Sequence, residues 1–313
     1  MKRWVRIAIR LTAIGTGAWL LASGIAGWNL AQPALHPSHS NRSPVAPAWL
    51  HFQPKDPSIQ AADGAQLQAW YVRPAHPNGA AVILLHGMAD SRLGVAGYAS
   101  MFLRQGYAVL LPDSRAHGAS GGDFATYGVL ERDDIRHWAA WLKPQTPGCE
   151  YLFGESMGAA IAIQASALTP AVCAVTAEAS FASFREIAND RISQVTHLGL
   201  WFPRTFGAPA REFAFLYGIL RFHVNLADAS PLTAIRLSHV PTLLICGTAD
   251  DNIPMRHSLE LFQAGASHSQ LWIVEGAEHT GAAAVNPPLF EQRVVGWFDQ
   301  HSRPGSRTVV PDQ

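Results

Sequence analysis

Charge is scarce in this 313-residue chain. Charged residues make up 15 %, and Lys+Arg and Asp+Glu number 23 each, so the formal net charge is zero. That balance offers nucleic acid no electrostatic footprint, and no basic patch is interleaved with aromatics. Cysteine is scarcer still: Cys149, Cys173 and Cys246 are the three, and no two share a metal-ligand spacing. The 14 histidines are scattered, without an H-x-x-x-H pair for a helical face. Metal catalysis is therefore not expected, no organic cofactor is called for, and nucleic acid is not an expected partner. What the chain does have is apolar residues, 48 % of the total. That is enough for one large domain or two small ones around a sizeable core.

The N-terminus is the first organised stretch. Lys2, Arg3, Arg6 and Arg10 precede an uncharged run, and its apolar part, Leu11 to Leu30, would extend about 30 Å as a helix. The next charge is Arg42, and the first acidic residue is Asp56. Cations before the segment favour an inside N-terminus with the rest of the chain outside. The expectation is a signal anchor over residues 1–31, of the bacterial inner-membrane type, with the folded domain on the outer, periplasmic side. The alternative is a signal peptide cleaved after Gly24-Ile25-Ala26 or Asn29-Leu30-Ala31, giving a secreted protein. Pro33, Pro37, Pro44 and Pro47 predict a semi-extended linker over 32–49. The folded domain is expected over 50–301 and a disordered polar tail over 302–313.

Within the domain, Ser58 to Val72 reads as a hairpin turning at Asp63-Gly64. Ala81–Leu85, Tyr107–Leu111, Cys149–Phe153, Val172–Ala177, Thr242–Cys246 and Leu271–Val274 are short apolar runs, as strands buried on both faces would be. Leu93–Gln105, Gly128–Lys143, the segment from Met157 and Pro288–His301 read as helices. Alternation of this kind implies a mostly parallel sheet covered on both faces, an α/β fold. Residues 181–235 break it, with no clear strand and many aromatics, and predict a helical insertion.

The chemistry concentrates at strand ends. Gly154-Glu155-Ser156-Met157-Gly158 joins the Cys149 strand to a helix rich in small residues. Glycines on either side relieve the crowding of so sharp a turn, and the serine is left at a helix N-terminus, which favours negative charge. A serine nucleophile needs a base to take its proton and an acid to orient that base. Asp250 follows the Thr242 strand and His279 follows the Leu271 strand, in the chain order Ser156, Asp250, His279.

Five motifs in this order resemble those of the α/β-hydrolases: His86-Gly87-Met88, Asp113-x-Arg115-x-His117-Gly118-x-Ser120, Gly154-x-Ser156-x-Gly158, Gly247-x-x-Asp250-x-x-Ile253-Pro254 and Gly276-x-x-His279. The resemblance spans about residues 58 to 301. Within that superfamily the chain resembles the membrane-anchored bud-emergence-type and serine-aminopeptidase-like hydrolases. It implies an eight-stranded, mostly parallel sheet flanked by helices, with residues 181–235 as a lid after strand 6. It also implies Ser156 as nucleophile, His279 as general base and acid, Asp250 as the orienting carboxylate, and the backbone N–H groups of Met88 and Met157 as the oxyanion hole. Asp251 and Glu178 are the other candidates for the acid; the Gly247-to-Pro254 spacing favours Asp250. In the family the Asp113–Ser120 loop is mostly structural.

The expected activity is that of a serine hydrolase, carboxylesterase-like, on a small-molecule or lipid-like acyl ester, thioester or amide. The alternatives are a peptidase or C–C hydrolase using the same triad, or a hydrolase-fold binding protein without catalysis. Fold and triad leave the acyl group open, and the oligomeric state is open as well. Cys149 and Cys173 fall on strands expected to be neighbours, about 4.8 Å apart, so an exported domain could bridge them; two buried thiols are the alternative.

Overall fold

The structure, a computed structural model, describes residues 2–37, 46 and 53–302. Helix α1 covers Lys2–Leu35. Strands β1 (Ser58–Gln60) and β2 (Gln66–Val72) form the expected hairpin, with Gly64 in the turn at a φ of 90°. Then follow β3 (Ala81–Leu85), α2 (Ala96–Arg104), β4 (Ala108–Pro112), α3 (Glu131–Leu142), β5 (Glu150–Glu155), α4 (Met157–Ser166) and β6 (Val172–Glu178). The aromatic segment is helical throughout its regular parts: α5 (Phe184–Thr196), α6 (Trp201–Arg204), α7 (Ala208–Phe222), a 3-10 turn at Leu226–Asp228 and α8 (Pro231–Leu237). The chain closes with β7 (Thr242–Gly247), α9 (Arg256–Ala264), β8 (Ser269–Val274), α10 (Ala282–Val285) and α11 (Pro287–Gln300).

The eight strands form one sheet in the order β1-β2-β4-β3-β5-β6-β7-β8. Only the β1–β2 and β2–β4 pairs are antiparallel. This is the mostly parallel α/β-hydrolase architecture that the resemblance implied. The central strands are buried along their whole length, so successive side chains feed two different cores. Ile83, Leu85 and Leu110 face α3 and α4, meeting Ile135, Trp138 and the small residues of α4. Val82, Leu84 and Val109 face α2 and α11, meeting Phe102, Phe290, Val294 and Phe298. All of α4 is buried, which explains why its sequence carries no polar face.

Element ends differ modestly from expectation. Helix α3 begins at Glu131 because that carboxylate accepts the N–H groups of Thr126 (2.6 Å) and Gly128 (2.7 Å), holding the preceding turns apart from the helix. Helix α1 runs to Leu35, past the boundary expected at residue 31, with Pro33 accommodated in its last turn. Residues 38–45, 47–52 and 303–313, which carry most of the expected linker and tail, lie outside the described residues. Cys149 and Cys173 are bridged, with 5.7 Å between their Cα atoms. Cys173 occupies the irregular step where the β5–β6 register shifts, between Val172 opposite Glu150 and Ala174 opposite Tyr151.

Candidate active site

The parallel strands point their C-terminal ends at one edge of the sheet, and the candidate residues follow β3, β5, β7 and β8 there. At the β5–α4 turn the chain reverses with no room to spare. A Cβ on Gly154 would come 2.3 Å from the Gly158 carbonyl oxygen, and one on Gly158 would come 2.2 Å from that of Leu85. Ser156 sits between them at φ 54°, ψ −118°, a conformation costly for a residue with a side chain. Its N–H donates to the Glu178 carbonyl (2.9 Å) and its carbonyl accepts from Ala160 (3.2 Å), so the strained turn is fixed from both sides.

The hydroxyl is thereby aimed at His279. Nε2 of His279 lies 2.9 Å from Ser156 Oγ, and Nδ1 lies 2.9 Å from Asp250 Oδ2. A carboxylate can only accept, so Nδ1 carries the proton and Nε2 is left as the acceptor for the serine hydroxyl. Asp250 is itself held as an acceptor: its Oδ1 takes the N–H groups of Asn252 (2.9 Å) and Ile253 (2.8 Å). Of the three carboxylates weighed from the sequence, Asp250 is the one hydrogen-bonded to His279. Asp251 is exposed, and its carbonyl oxygen accepts from Gln194 Nε2 (2.8 Å). Glu178 lies beneath the site, accepting the Ala282 N–H at 2.9 Å.

Met157 is the first residue of α4, so its N–H has no acceptor within the helix. Met88 lines the same cavity as Ser156 and Met157. The loop that carries it runs close by, since a Cβ on Gly87 would stand 3.5 Å from that of Ser156. His86 fixes this loop. Its Nδ1–H donates to the Gly87 carbonyl (2.7 Å) while Nε2 accepts the Ser114 N–H (3.0 Å). Burial lowers its pKa, in keeping with a neutral ring serving as both donor and acceptor.

The Asp113–Ser120 loop is absorbed by its own scaffold. Asp113 accepts from Arg92 N (2.7 Å), Arg92 Nε (3.0 Å) and Ala119 N (2.7 Å). Arg115 pairs with Asp134 (2.8 Å) and Asp63 (2.7 Å), and the Ser120 hydroxyl donates to the Asp113 carbonyl (2.7 Å).

Two carboxyl groups behind the elbow are unusual. Burial, with Glu178 and Asp90 nearby, pushes Glu155 up to about 8; burial pushes Glu178 up to about 7. Tyr98 Oη donates to Glu155 Oε2 at 3.4 Å. A further cluster ties the insertion to the sheet. Asp190 of α5 accepts from Arg256 (2.6 Å to each oxygen) and from His257 Nε2 (2.6 Å) on α9, and His257 Nδ1 accepts the Ala182 N–H (3.2 Å).

A cavity of about 190 Å³ opens beside Ser156. Phe181, Phe184, Ile187, Phe215 and Leu226 of the insertion form much of its wall, so the aromatic segment borders the space beside the serine. Three contributions were not foreseen. Leu30, Ala31 and Ala34 of α1 reach the cavity, and Arg191 and Arg211 are the charged side chains among its lining. The small residues at fourfold spacing in α1 (Ser23, Gly27, Ala31) were the available signal for the first. The arginines had none, because their placement depends on how the insertion folds back.

Residues 82–293 match the sequence profile of the Alpha/beta hydrolase family. The chain is 29 % identical over 245 residues to the uncharacterized protein YqkD of Bacillus subtilis, covering 77 % of this chain and 78 % of that one. It is 28 % identical over 246 residues to the uncharacterized protein Rv2307c of Mycobacterium tuberculosis, covering 77 % and 76 %. Its fold is similar to that of an esterase from Pyrococcus furiosus, with a TM-score of 0.69 and 24 % identity over 86 % of this chain and 99 % of that one. It is also similar to an acylaminoacyl peptidase of Pyrococcus horikoshii, with a TM-score of 0.59 and 18 % identity over 80 % of this chain and 42 % of that one.

Proposed function

The chain belongs to the alpha/beta hydrolase family, and from that premise we propose that it is a serine hydrolase working through an acyl-enzyme, with carboxylesterase-like activity on an apolar acyl substrate. The observation that carries the reading is the unbroken line of hydrogen bonds from Ser156 Oγ through His279 to Asp250, each link 2.9 Å.

Ser156 Oγ attacks the carbonyl carbon of an ester, thioester or amide while His279 Nε2 takes its proton. Asp250 stabilises the imidazolium so formed and keeps the ring in the useful tautomer. The tetrahedral oxyanion is met by the N–H groups of Met88 and Met157, each worth roughly 3 kcal/mol of barrier lowering in such sites. His279 returns the proton to the leaving group, and water then repeats the sequence on the acyl-enzyme to release the acid. Phe181, Phe184 and Phe215 line the cavity and suit an apolar acyl chain. Helix α1 is long and apolar enough to cross a membrane; we read it as an anchor with its N-terminus inside and the hydrolase domain on the outer side. The Cys149–Cys173 bridge supports that side, where disulfides persist.

The test is hydrolysis of p-nitrophenyl esters from acetate to octanoate by the full-length chain in detergent. The parent is expected to turn them over, with kcat/KM rising with chain length, and Ser156→Ala and His279→Ala are expected to lose roughly 10⁴-fold. Hydrolysis that survives in a folded Ser156→Ala protein would remove the reading.

A further inference from the structure

The membrane-length helix is also part of the site. From Ser23 onward α1 presents a buried stripe of Ser23, Gly27, Ala31 and Leu35 to the body of the protein. Its partner is α7. A Cβ on Gly27 would meet the Ala210 carbonyl oxygen at 2.4 Å and the Phe213 Cβ at 2.9 Å, so the two helices touch backbone to backbone. The contact is specific as well as close. Trp28 stacks edge-on with Tyr217 at 4.6 Å, and Gln32 Nε2 donates to Tyr217 Oη at 3.2 Å. Tyr127 Oη donates to the Ala34 carbonyl (2.8 Å), and the Ala125 N–H donates to that of Leu35 (2.8 Å). On its inner side this seam is cavity wall: Leu30, Ala31 and Ala34 from α1, with Ala214 and Phe215 from α7, line the space that holds Ser156.

The outer side of the same seam is apolar and uncovered. Leu216, Ile219 and Leu220 of α7 are exposed, Leu220 by 70 %. So are Trp201 (58 %), the first residue of α6, and Phe206 (63 %), in the turn before α7. An exposed apolar surface of this kind marks an interaction site. Its occupant follows from α1. A helix that spans about 30 Å of hydrocarbon from Leu11 ends near Leu30. The stretch docked on α7 begins at Ser23, inside that span, so α7 lies at the depth of the bilayer's outer margin. An apolar face with an aromatic at its edge is what that depth requires.

We propose that α1 is retained in the mature protein as the membrane-side wall of the acyl cavity, that the outer face of α7 is seated in the lipid bilayer, and that the substrate is therefore an acyl ester resident in the membrane, its chain entering along the α1–α7 seam. This rests on the serine-hydrolase reading for the chemistry alone; the seating of α7 does not depend on it. Cleavage after Ala31 would remove Leu30 and Ala31 and open the cavity on that side; cleavage after Ala26 would spare the lining but release the helix from the membrane.

Two measurements on the full-length protein in phosphatidylcholine vesicles test it. Bimane attached at Leu220→Cys is expected to be quenched several-fold more by doxyl-phosphatidylcholine than bimane at Gln270→Cys, an exposed position at the opposite end of the sheet. Equal quenching at the two positions, or shielding of position 220 without doxyl quenching, would mean a protein partner or open solvent and would overturn the seating. Ala34→Phe, which fills the cavity from α1, is expected to lower the ratio of octanoate to acetate kcat/KM at least tenfold. A ratio within twofold of the parent would overturn the wall. Ester hydrolysis persisting in Ser156→Ala would overturn the serine reading instead, and the quenching would still decide where α7 sits.

Discussion

Nε2 of His279 stands 2.9 Å from Ser156 Oγ although 123 positions separate the two residues in the chain. The β5–α4 turn holds the serine at a positive φ, and the loop after β8 delivers the histidine, so the contact measures how accurately the sheet registers its strands.

The orientation of that histidine gives the first prediction. Asp250→Asn can donate to Nδ1, which favours the tautomer whose Nε2 carries the proton and cannot act as a base. kcat for p-nitrophenyl butyrate is expected to fall roughly 10⁴-fold with the fold intact by circular dichroism. A loss below tenfold would mean that Asp250 does not orient the base.

The buried carboxyl groups under the elbow set a pH dependence. Glu155 and Glu178 are raised from an ordinary value of 4.5 to about 8 and about 7. Between those limits the folded state holds protons that the unfolded state has released, so their contribution to stability is full below about pH 4.5 and is lost as pH rises through 7 to 8. Glu150, pushed up to about 7 by burial, adds to the slope. Urea unfolding midpoints are expected to fall from pH 5.5 to 8.5, and the double variant Glu155→Gln/Glu178→Gln is expected to flatten the fall. An unchanged slope in that variant would contradict the assignment.

The disulfide makes a separate prediction. Under denaturing, non-reducing conditions one thiol should titrate, Cys246, and three after reduction. Cys173→Ser is expected to lose about 3 kcal/mol of stability, read as a lower urea midpoint. Three thiols without reductant would refute the bridge.

Asp190 links the insertion to α9. Burial works to raise its pKa, but the hydrogen bonds from His257 and Arg256 more than offset this and leave it below the usual carboxylate range. The stability it contributes is present above the ordinary carboxylate pKa and lost as pH falls through the lowered value. Asp190→Ala leaves His257 and Arg256 without their acceptor and is expected to cost roughly 3 kcal/mol. It should also raise hydrogen exchange in α5 before the rest of the domain. Uniform exchange across the chain would show that the cluster does not hold the insertion.

Much of this was legible in the sequence because buried parallel strands write themselves as short apolar runs: Ala81–Leu85 and Thr242–Gly247 sit within a residue of where those runs fall. The same logic located Ser156, Asp250 and His279, since loops after such strands converge on one sheet edge. Helix α9 was not legible. Its apolar residues do fall on one face, but it spans nine residues directly after the Asp250 loop and buries only His257, Ser258 and Leu261. The Asp190–His257 contact was hidden for the same reason that Arg191 was: it joins an irregular insertion to the sheet, and no local rule fixes how such segments fold back. The docking of α1 was hidden differently. An apolar run long enough for a bilayer looks much alike whether one side faces lipid or a partner helix, and contacts such as the Gly27–Ala210 approach separate the two.

The central claim is an activated serine at position 156. Its most direct measurement is reaction of the full-length protein with a fluorophosphonate, followed by peptide mass spectrometry. The account predicts one adduct per chain, on Ser156, absent from Ser156→Ala and greatly slowed in His279→Ala. A folded parent that stays unmodified, or an adduct on another residue, would contradict it.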